Sequence, residues 1–295
     1  MSMDQLIAVD WGTSSLRAAR IAADGTVLDQ RASARGILTV PAGGFPDVLQ
    51  ETCGDWLAQA GSLCLVSGMA GSRQGWREAP YCACPAGFAE LARGLQWMEP
   101  GRIALVPGLS CELGGVPDVI RGEEVQVFGA LDLLQQREGV FVLPGTHSKW
   151  LRVQDARVQS FATFMTGEVY ALLRQHSILG RMMPAEDAAL DEEAFTRGVR
   201  HAQQGGSLLH SAFSARTLAL FDRLPAAALA SYLSGLVIGE ELRGRGDDSR
   251  EVVLIGAPAL TQRYALALRA LGCASRSLGP EATWRGLWAL ARTLE

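Results

Sequence analysis

The sequence has no run of about 20 uninterrupted apolar residues, the length that a helix needs to cross a bilayer. Its first residues, MSMDQLIAVD, contain no basic segment ahead of a long apolar core, so they do not resemble a secretory leader. The formal net charge of −4 argues against the basic surface that nucleic-acid binding requires. These absences predict a cytoplasmic protein that binds neither membranes nor nucleic acid.

Several motifs are absent as well. There is no G-x-x-x-x-G-K-[ST] loop and no G-x-G-x-x-G after the first strand, which disfavours the two common nucleotide-binding folds. The six cysteines lack the density and regular spacing of a disulfide framework. Cys82 and Cys84 form one close pair, but no second Cys or His pair at zinc-ligand spacing accompanies them. We expect buried thiols there rather than a metal centre.

What the chain does have is a length of 295 residues and a hydrophobic content of 48%. This length exceeds the usual size of one core, so two lobes are expected, with one large barrel as the competing fold. Alternating strand-like and helix-like segments predict an α/β protein with mixed sheets flanked by helices. The predicted lobes are 1–137 and 138–295.

A strand-loop-strand-turn-strand unit occurs twice. Gly12-Thr13 and Gly145-Thr146 head the two loops and lie 133 residues apart. Asp24-Gly25, between the second and third strands of the first copy, is a strong tight-turn signal. The strands are predicted over 5–10, 16–22 and 26–31, and over 139–143, 149–153 and 157–164. The repeat indicates two related lobes.

The remaining hydrophobic pattern predicts further elements around these units. A glycine-rich loop is predicted over 68–76. Helices are predicted over 46–60, 123–136, 167–176, most of 190–243, 261–271 and 282–294. Short strands are predicted over 63–67, 103–106 and 251–256.

The two Gly-Thr turns have the composition of anion-binding loops. Such a turn exposes backbone N–H groups and hydroxyls, which suit phosphate oxygens. Asp10 directly precedes the first turn, and a carboxylate beside phosphate is repulsive unless a hydrated Mg²⁺ lies between them. A simple turn cap is the alternative role for Asp10. In the second turn His147 and Lys149 could add positive charge, although Lys149 could also face solvent.

Two phosphate turns, one in each lobe, resemble the arrangement of the actin and hexokinase-like (ASKHA) superfamily, where ATP lies in a cleft between the lobes. The resemblance implies that Gly256 and Ala257, which follow an apolar strand and precede a helix, contact adenosine. The usual Gly-Gly of that turn is Gly-Ala here.

Glu123 and Glu124 are adjacent at the start of a predicted helix. Acidic residues in a first turn stabilise a helix by about 0.3–1 kcal/mol through its dipole, and this is the structural interpretation. The superfamily resemblance implies a functional one, in which an acid accepts the proton of a sugar hydroxyl. The helix start is expected to keep this carboxylate ionised and weakly basic. Arg121 could pair with one glutamate or hold a substrate carboxylate.

Longer stretches resemble one family over essentially the whole chain. They are VDWGTSSLRAAR, GMAGSRQGW with APY, VPGL, DVIRGEEVQVFGA, LPGTHSKWLRV, FMTGE with HSILG, and SGLVIGEEL. Together they resemble the 2-dehydro-3-deoxygalactonokinases, also called 2-keto-3-deoxygalactonate kinases. This resemblance implies ATP-dependent phosphorylation of the 6-hydroxyl of 2-dehydro-3-deoxy-D-galactonate in galactonate catabolism, with Mg²⁺ as cofactor.

The resemblance also implies the site residues. The catalytic residues are Asp10, as the metal ligand, and Glu123 or Glu124, as the acid. The nucleotide contacts are Gly12, Thr13, Ser14, Arg17, Gly145, Thr146, His147, Ser148, Lys149, Gly256 and Ala257. The substrate contacts are Ser72, Arg73, Trp76, Tyr81, Arg121 and Glu168. The alternative for the loops that carry these substrate residues is packing by their own glycine and aromatic residues.

Other functions stay open. A kinase of the same superfamily could act on another sugar acid, such as 2-keto-3-deoxygluconate. A non-catalytic sugar sensor is less favoured, because Asp10 and the acidic pair are present and the sequence leaves no room for a DNA-binding segment before its first strand. A sugar-phosphate hydrolase would release phosphate without ATP. A homodimer is compatible with the sequence, which does not otherwise indicate the oligomeric state.

Overall fold

The computed structural model describes residues 3–186, 189–244 and 251–294. Within these ranges the strands are β1 (Gln5–Trp11), β2 (Leu16–Ala22), β3 (Val27–Ser33), β4 (Ser62–Gly68), β5 (Tyr81–Ala83), β6 (Gln96–Glu99), β7 (Ile103–Leu105), β8 (Gly108–Leu113), β9 (Val116–Ile120), β10 (Gly139–Leu143), β11 (Ser148–Gln154), β12 (Arg157–Phe164), β13 (Glu251–Ile255) and β14 (Ala274–Leu278). The helices are α1 (Phe45–Leu57), α2 (Phe88–Arg93), α3 (Glu123–Leu134), α4 (Thr166–His176), α5 (Glu192–Ala202), α6 (Leu208–Ser211), α7 (Ser214–Leu220), α8 (Leu229–Gly244), α9 (Pro258–Ala270) and α10 (Glu281–Arg292).

The two predicted repeats have the same strand order. One sheet has the order β3-β2-β1-β4-β7-β6, and another has the order β12-β11-β10-β13-β14. In each, the first strand of the unit is followed by two parallel strands, β4 and β7 in one sheet and β13 and β14 in the other. These mixed sheets with flanking helices confirm the predicted α/β class.

Strand β1 runs through the middle of its sheet, between β2 and β4. Ile7, Val9 and Trp11 pack into a core with the apolar face of α1. Leu6 is also fully buried, because a central strand is covered on both faces. Asp10, the next-to-last residue of β1, is only partly buried, so a polar side chain is accessible near the carboxyl end of this strand.

A third sheet, of order β5-β8-β9, is absent from the sequence prediction. Its β8–β9 hairpin turns at Gly114-Gly115, where both φ angles are positive. Two glycines between strands favour such a tight turn. Because β9 ends at Ile120, this hairpin leads directly into Arg121 and the start of α3.

Helix α10 packs closely on α3. A Cβ at Gly129 would lie 1.8 Å from the carbonyl oxygen of Ala282, and a Cβ at Gly286 would lie 1.9 Å from that of Val125. The side chain of Arg285 also pairs with that of Asp132. The backbone contact at both glycines fixes α3 along its length.

The chain divides into two units, of which the first comprises Met1–Gly139, Leu151–Phe161 and Pro280–Glu295, and the second comprises Val140–Trp150 and Ala162–Gly279. The predicted lobes of 1–137 and 138–295 are each continuous, whereas the first unit also takes in α10, which packs on α3. The lobe assignment stays a prediction.

The six cysteines are free thiols. Burial raises the pKa of Cys53 and of Cys84 to about 12, so these thiols stay protonated and unreactive near neutral pH.

In the described part of the chain no helix is long and apolar enough to cross a membrane.

Candidate active site

The first Gly-Thr turn is closed and anchored. The backbone N–H of Gly12 donates to the carbonyl oxygen of Ser15 at 2.9 Å, and that of Ile37 donates to the carbonyl oxygen of Gly12 at 3.0 Å. Thr13 and Ser14 are exposed at its tip. The turn therefore presents hydroxyls to solvent on a fixed backbone, as an anion-binding loop does.

Asp10 and Arg17 are directly opposite each other on β1 and β2. Arg17 donates to Oδ2 of Asp10, and the two side chains are 41% and 18% exposed. The guanidinium carbon of Arg17 also lies 5.9 Å from the ring centroid of Trp284. The predicted nucleotide contact Arg17 and the predicted metal ligand Asp10 are thus joined through one carboxylate oxygen.

The start of α3 reaches the carboxyl ends of β1 and β4. A Cβ at Gly68 would lie 2.8 Å from the carbonyl oxygen of Trp11 and 3.4 Å from Oδ1 of Asp10. A Cβ at Gly122 would lie 3.2 Å from Cα of Gly68 and 3.9 Å from Oγ of Ser67. Ser67 Oγ is buried without a hydrogen-bond partner among the described residues. Asp10, an unpaired hydroxyl and the acidic helix start therefore converge.

Glu123 and Glu124 differ in their surroundings. Both carboxylate oxygens of Glu124 accept from the backbone N–H of Gly122, at 2.9 and 2.8 Å, and the residue is fully buried. Oε2 of Glu123 accepts from the backbone N–H of Arg121 at 2.9 Å, and Glu123 is only partly buried. Of the two acids, Glu123 is the one that a ligand can reach.

The expectation that the helix start keeps this acid ionised is wrong for Glu124. Burial, reinforced by the charge of Glu123, raises its pKa to about 8. The backbone N–H groups favour the ionised form but do not offset the loss of solvation.

Arg121 is a buried cation beside this pair. Its Nη2 donates to the carbonyl oxygen of Ala79 at 2.8 Å, and its guanidinium carbon lies 4.3 Å from the ring centroid of Tyr81. Nε and Nη1 are buried without a hydrogen-bond partner in the described ranges. A buried cation with two spare donors suits a carboxylate ligand.

The predicted substrate residues of the 68–76 loop have different settings. Arg73 is 85% exposed and pairs with Glu78 at 2.8 Å. The ring of Trp76 stacks on that of Phe45, with centroids 6.4 Å apart. Oγ of Ser72 is buried and unpaired within the described chain. Trp76 therefore packs on Phe45 and Ser72 has a polar group to spare, and contact of either residue with the substrate stays a prediction.

In the second unit, the start of α4 lies against the second Gly-Thr turn. The backbone N–H of Glu168 donates to the carbonyl oxygen of Thr146 at 3.0 Å. The Glu168 carboxylate lies 2.6 Å from Nε2 of His147, and both side chains are partly exposed. Glu168, predicted as a substrate contact, thus lies beside the proposed phosphate turn, and its contact with the substrate stays a prediction.

The side chains of Ser148 and Lys149 are buried, which differs from the predicted phosphate contacts. Ser148 donates to Oε1 of Glu241 at 2.8 Å, and Lys149 Nζ donates to Oγ1 of Thr163 at 3.0 Å. Successive side chains of a strand point to opposite faces, and both faces of β11 are covered here. The alternative in which Lys149 faces solvent is also excluded.

Gly256 follows β13 and adjoins the second turn. Its backbone N–H donates to the carbonyl oxygen of Leu278 at 3.2 Å, and a Cβ there would lie 3.7 Å from the carbonyl oxygen of Pro144. Ala257 is exposed and precedes α9. The predicted adenosine turn and phosphate turn are therefore neighbours.

Ser67 and Glu241 are polar residues of these regions that sequence reasoning missed. Each lies within a mostly apolar segment, SLCLVSG and SGLVIGEEL. A polar residue inside a mostly apolar segment was the available signal. Such a residue is expected to be buried, and a buried polar group needs a partner.

A family model for 2-keto-3-deoxy-galactonokinase matches residues 10–290 of the chain. A protein of Rhizobium meliloti strain 1021, assigned as a 2-dehydro-3-deoxygalactonokinase, is 39% identical over 295 residues, covering 97% of this chain and 96% of its own length. The 2-dehydro-3-deoxygalactonokinase of Escherichia coli K12 is 33% identical over 270 residues, covering 90% of each chain.

Solved structures agree with these matches. The crystal structure of a Sinorhizobium meliloti protein, assigned as a 2-dehydro-3-deoxygalactonokinase, has a TM-score of 0.91 and 39% identity, covering 98% of this chain and 99% of that one. The ADPNP-bound activator of 2-hydroxyisocaproyl-CoA dehydratase from Clostridium difficile, at 10% identity and a TM-score of 0.50 over 97% and 93% of the chains, shares the fold alone. The predicted actin and hexokinase-like fold is confirmed, and the full-length matches show that the chain belongs to the 2-keto-3-deoxy-galactonokinase family.

Proposed function

We propose that this chain transfers the γ-phosphoryl group of ATP to the 6-hydroxyl of 2-dehydro-3-deoxy-D-galactonate, giving 2-dehydro-3-deoxy-6-phosphogalactonate. Its family and its relatives are kinases, which supports the reaction class. The observation that carries the proposal is the convergence of Asp10, the unpaired Ser67 hydroxyl and the acidic start of α3. These groups suit a metal ion, phosphate oxygens and an attacking hydroxyl.

Asp10 is the residue that would hold Mg²⁺. Magnesium in phosphoryl-transfer sites is bound through one or two carboxylates, with waters and substrate phosphates as further ligands. Asp10 fits this pattern, since Oδ2 is held by Arg17 and Oδ1 lies toward Gly68. The described residues include no cluster of three or more His, Cys, Asp or Glu side chains suited to an ion, so a metal there depends on phosphate oxygens. When bound, Mg²⁺ neutralises charge on those oxygens.

Glu123 is the acid that we assign to the sugar hydroxyl. It is partly exposed, whereas Glu124 is fully buried and bound to the backbone of Gly122. Phosphoryl transfer has a loose transition state, so orienting the hydroxyl matters more than the strength of the base. Glu123 orients the hydroxyl and accepts its proton, and Glu124 fixes the turn that presents Glu123.

In the second unit we assign phosphate binding to the turn at Gly145 and Thr146, and adenosine binding to Gly256 and Ala257. The exposed tip of the turn supports this assignment, and so does the position of Gly256, where a Cβ would lie 3.7 Å from the carbonyl oxygen of Pro144. The side chains of Ser148 and Lys149 are buried. We therefore assign these two residues to the support of the turn rather than to contact with phosphate.

Arg121→Lys should raise KM for the sugar acid about tenfold or more and leave KM for ATP unchanged. Lysine keeps the charge but lacks the fork that binds a carboxylate through two parallel hydrogen bonds, and a hydrogen bond to a charged group contributes about 1.5–3 kcal/mol. Steady-state kinetics with each substrate varied in turn measures both constants. Arg73→Lys is the matched comparison, and an increased KM in that variant alone would move the carboxylate contact to the exposed loop.

The substrate is tested with purified protein, ATP, Mg²⁺ and the two epimeric 2-keto-3-deoxy acids derived from galactonate and gluconate. We expect the galactonate-derived acid to be phosphorylated faster, with ³¹P NMR showing the phosphate on the 6-oxygen. Equal rates would contradict the named substrate, and phosphate release without a sugar phosphate would contradict a kinase.

The same proposal includes magnesium dependence, a homodimer and a cytoplasmic location. EDTA titration tests the first, light scattering the second and cell fractionation the third.

A further inference from the structure

Glu241 is a buried carboxylate to which the reaction assigns no role. It lies on α8 and is 3% exposed. Burial raises its pKa, and four side-chain hydrogen bonds oppose that increase. Their donors belong to three other elements, namely Ser148 and Trp150 on β11, Thr166 at the start of α4, and Tyr264 on α9.

The four donors divide equally between the two carboxylate oxygens. Oε1 accepts from Ser148 Oγ at 2.8 Å and from Trp150 Nε1 at 2.6 Å. Oε2 accepts from Tyr264 Oη at 2.6 Å and from Thr166 Oγ1. A carboxylate offers about four acceptor sites, so this one is fully used within the protein. Such charge-assisted bonds in a dry interior hold their partners rigidly.

Two of these donors flank the second Gly-Thr turn. Ser148 directly follows residues 145–147, and Thr166 directly precedes Gly167. A Cβ at Gly167 would lie 2.5 Å from the carbonyl oxygen of Gly145, so α4 begins in contact with the turn. The carboxylate of Glu241 therefore joins the strand that leaves the turn to the helix that presses on it.

We infer that Glu241 is a positioning residue, which fixes the backbone of the 145–147 turn for binding the phosphates of the nucleotide without touching them. This inference rests on the proposed function, because that function gives the turn its ligand. It names the residue that makes the turn rigid, a property on which anion binding by backbone N–H groups depends.

Only a carboxylate satisfies all four donors. In Glu241→Gln the amide oxygen could keep Ser148 and Trp150, but the amide NH₂ would then face Thr166 and Tyr264, which must turn their hydroxyl protons away. The opposite orientation places the NH₂ against Trp150 Nε1, which can only donate. Either orientation loosens one side of the turn without changing the volume of the side chain.

The test is nucleotide binding and kinetics of Glu241→Gln. We expect the Kd for ADP, measured by calorimetry, and KM for ATP to rise about tenfold, because charge-assisted hydrogen bonds are lost, while KM for the sugar acid is unchanged. Tyr264→Phe removes a single donor and should change the same two constants by a smaller factor. Glu240→Gln is the matched control, since the neighbouring Glu240 pairs with Arg243 outside this network, and it should bind ADP like the wild type.

Unchanged nucleotide constants in a folded Glu241→Gln protein would overturn the inference. Equal losses for nucleotide and sugar acid, together with a lower unfolding midpoint, would show a merely structural role and overturn it as well. If Glu241→Gln does not fold, Tyr264→Phe decides between these outcomes. A wild-type protein that binds ADP but phosphorylates no sugar acid would contradict the proposed function, and the ADP affinities of the variants would still test Glu241.

Discussion

Asp10→Asn should lower kcat about a thousandfold, since removal of one preorganised electrostatic group from an active site costs about 10²–10³ in rate. Asparagine keeps the size of Asp10 and can still accept from Arg17, but it lacks the charge that holds Mg²⁺ at the phosphates. KM for the sugar acid should change little. A coupled ADP-release assay at several Mg²⁺ concentrations measures kcat, both KM values and the apparent metal affinity.

Asp29→Asn is the control for Asp10→Asn. Asp29 lies on β3 of the same sheet and is 46% exposed, so its replacement should leave kcat unchanged. The unfolding midpoints of both variants show whether the loss of one charge alters the sheet. A wild-type kcat in Asp10→Asn at limiting Mg²⁺ would refute the metal assignment.

Glu123→Gln should lower kcat about a hundredfold, the lower end of the range for loss of a general base. The amide oxygen can still accept from the backbone N–H of Arg121, so the start of α3 keeps its shape, but the side chain no longer accepts the proton of the sugar hydroxyl. The loose transition state keeps the loss from being larger. Steady-state kinetics should show both KM values near those of the wild type.

Glu124→Gln should remove a pH dependence of the free energy of unfolding. Glu124 has a pKa of about 8 in the folded protein against an ordinary value of 4.5. Between these two pH values the unfolded chain therefore releases a proton that the folded protein retains. Its contribution to stability is therefore present below about pH 4.5 and is lost as the pH rises to about 8. Urea unfolding at several pH values should show this loss in the wild type and not in Glu124→Gln. A greater loss of kcat in Glu124→Gln than in Glu123→Gln would transfer the base to Glu124.

The elements that carry the site were largely predictable because their signals are local. Strands β2, β10 and β12 have the predicted bounds, since apolar stretches and tight turns delimit them. The β5-β8-β9 sheet was missed because β5 has three residues and is largely exposed, so no hydrophobic pattern marks it. The glycines at 114 and 115 were the remaining signal for its hairpin.

Burial of the site residues was less predictable, because it depends on partners far away in the sequence. In the sequence Ser148 belongs to a hydroxyl-rich turn and has no evident partner nearby. In the structure its hydroxyl donates to Glu241, 93 residues further on. Trp76 could wall a pocket or pack internally, and the local sequence does not identify Phe45 as the ring on which it stacks. Glu123 and Glu124 are identical in type and adjacent, and only the fold separates a buried acid from an accessible one.

The contact between α3 and α10 sets an order in which the site can form during synthesis. Asp132 on α3 pairs with Arg285 on α10, 153 residues later. The same two helices also approach each other at Gly129 and Gly286. Domains generally fold as units while the chain is made, and those nearest the N-terminus fold first. Here α3, which carries Glu123 and Glu124, leaves the ribosome long before α10. The start of α3 therefore gains its packing partner only after the second unit has been translated.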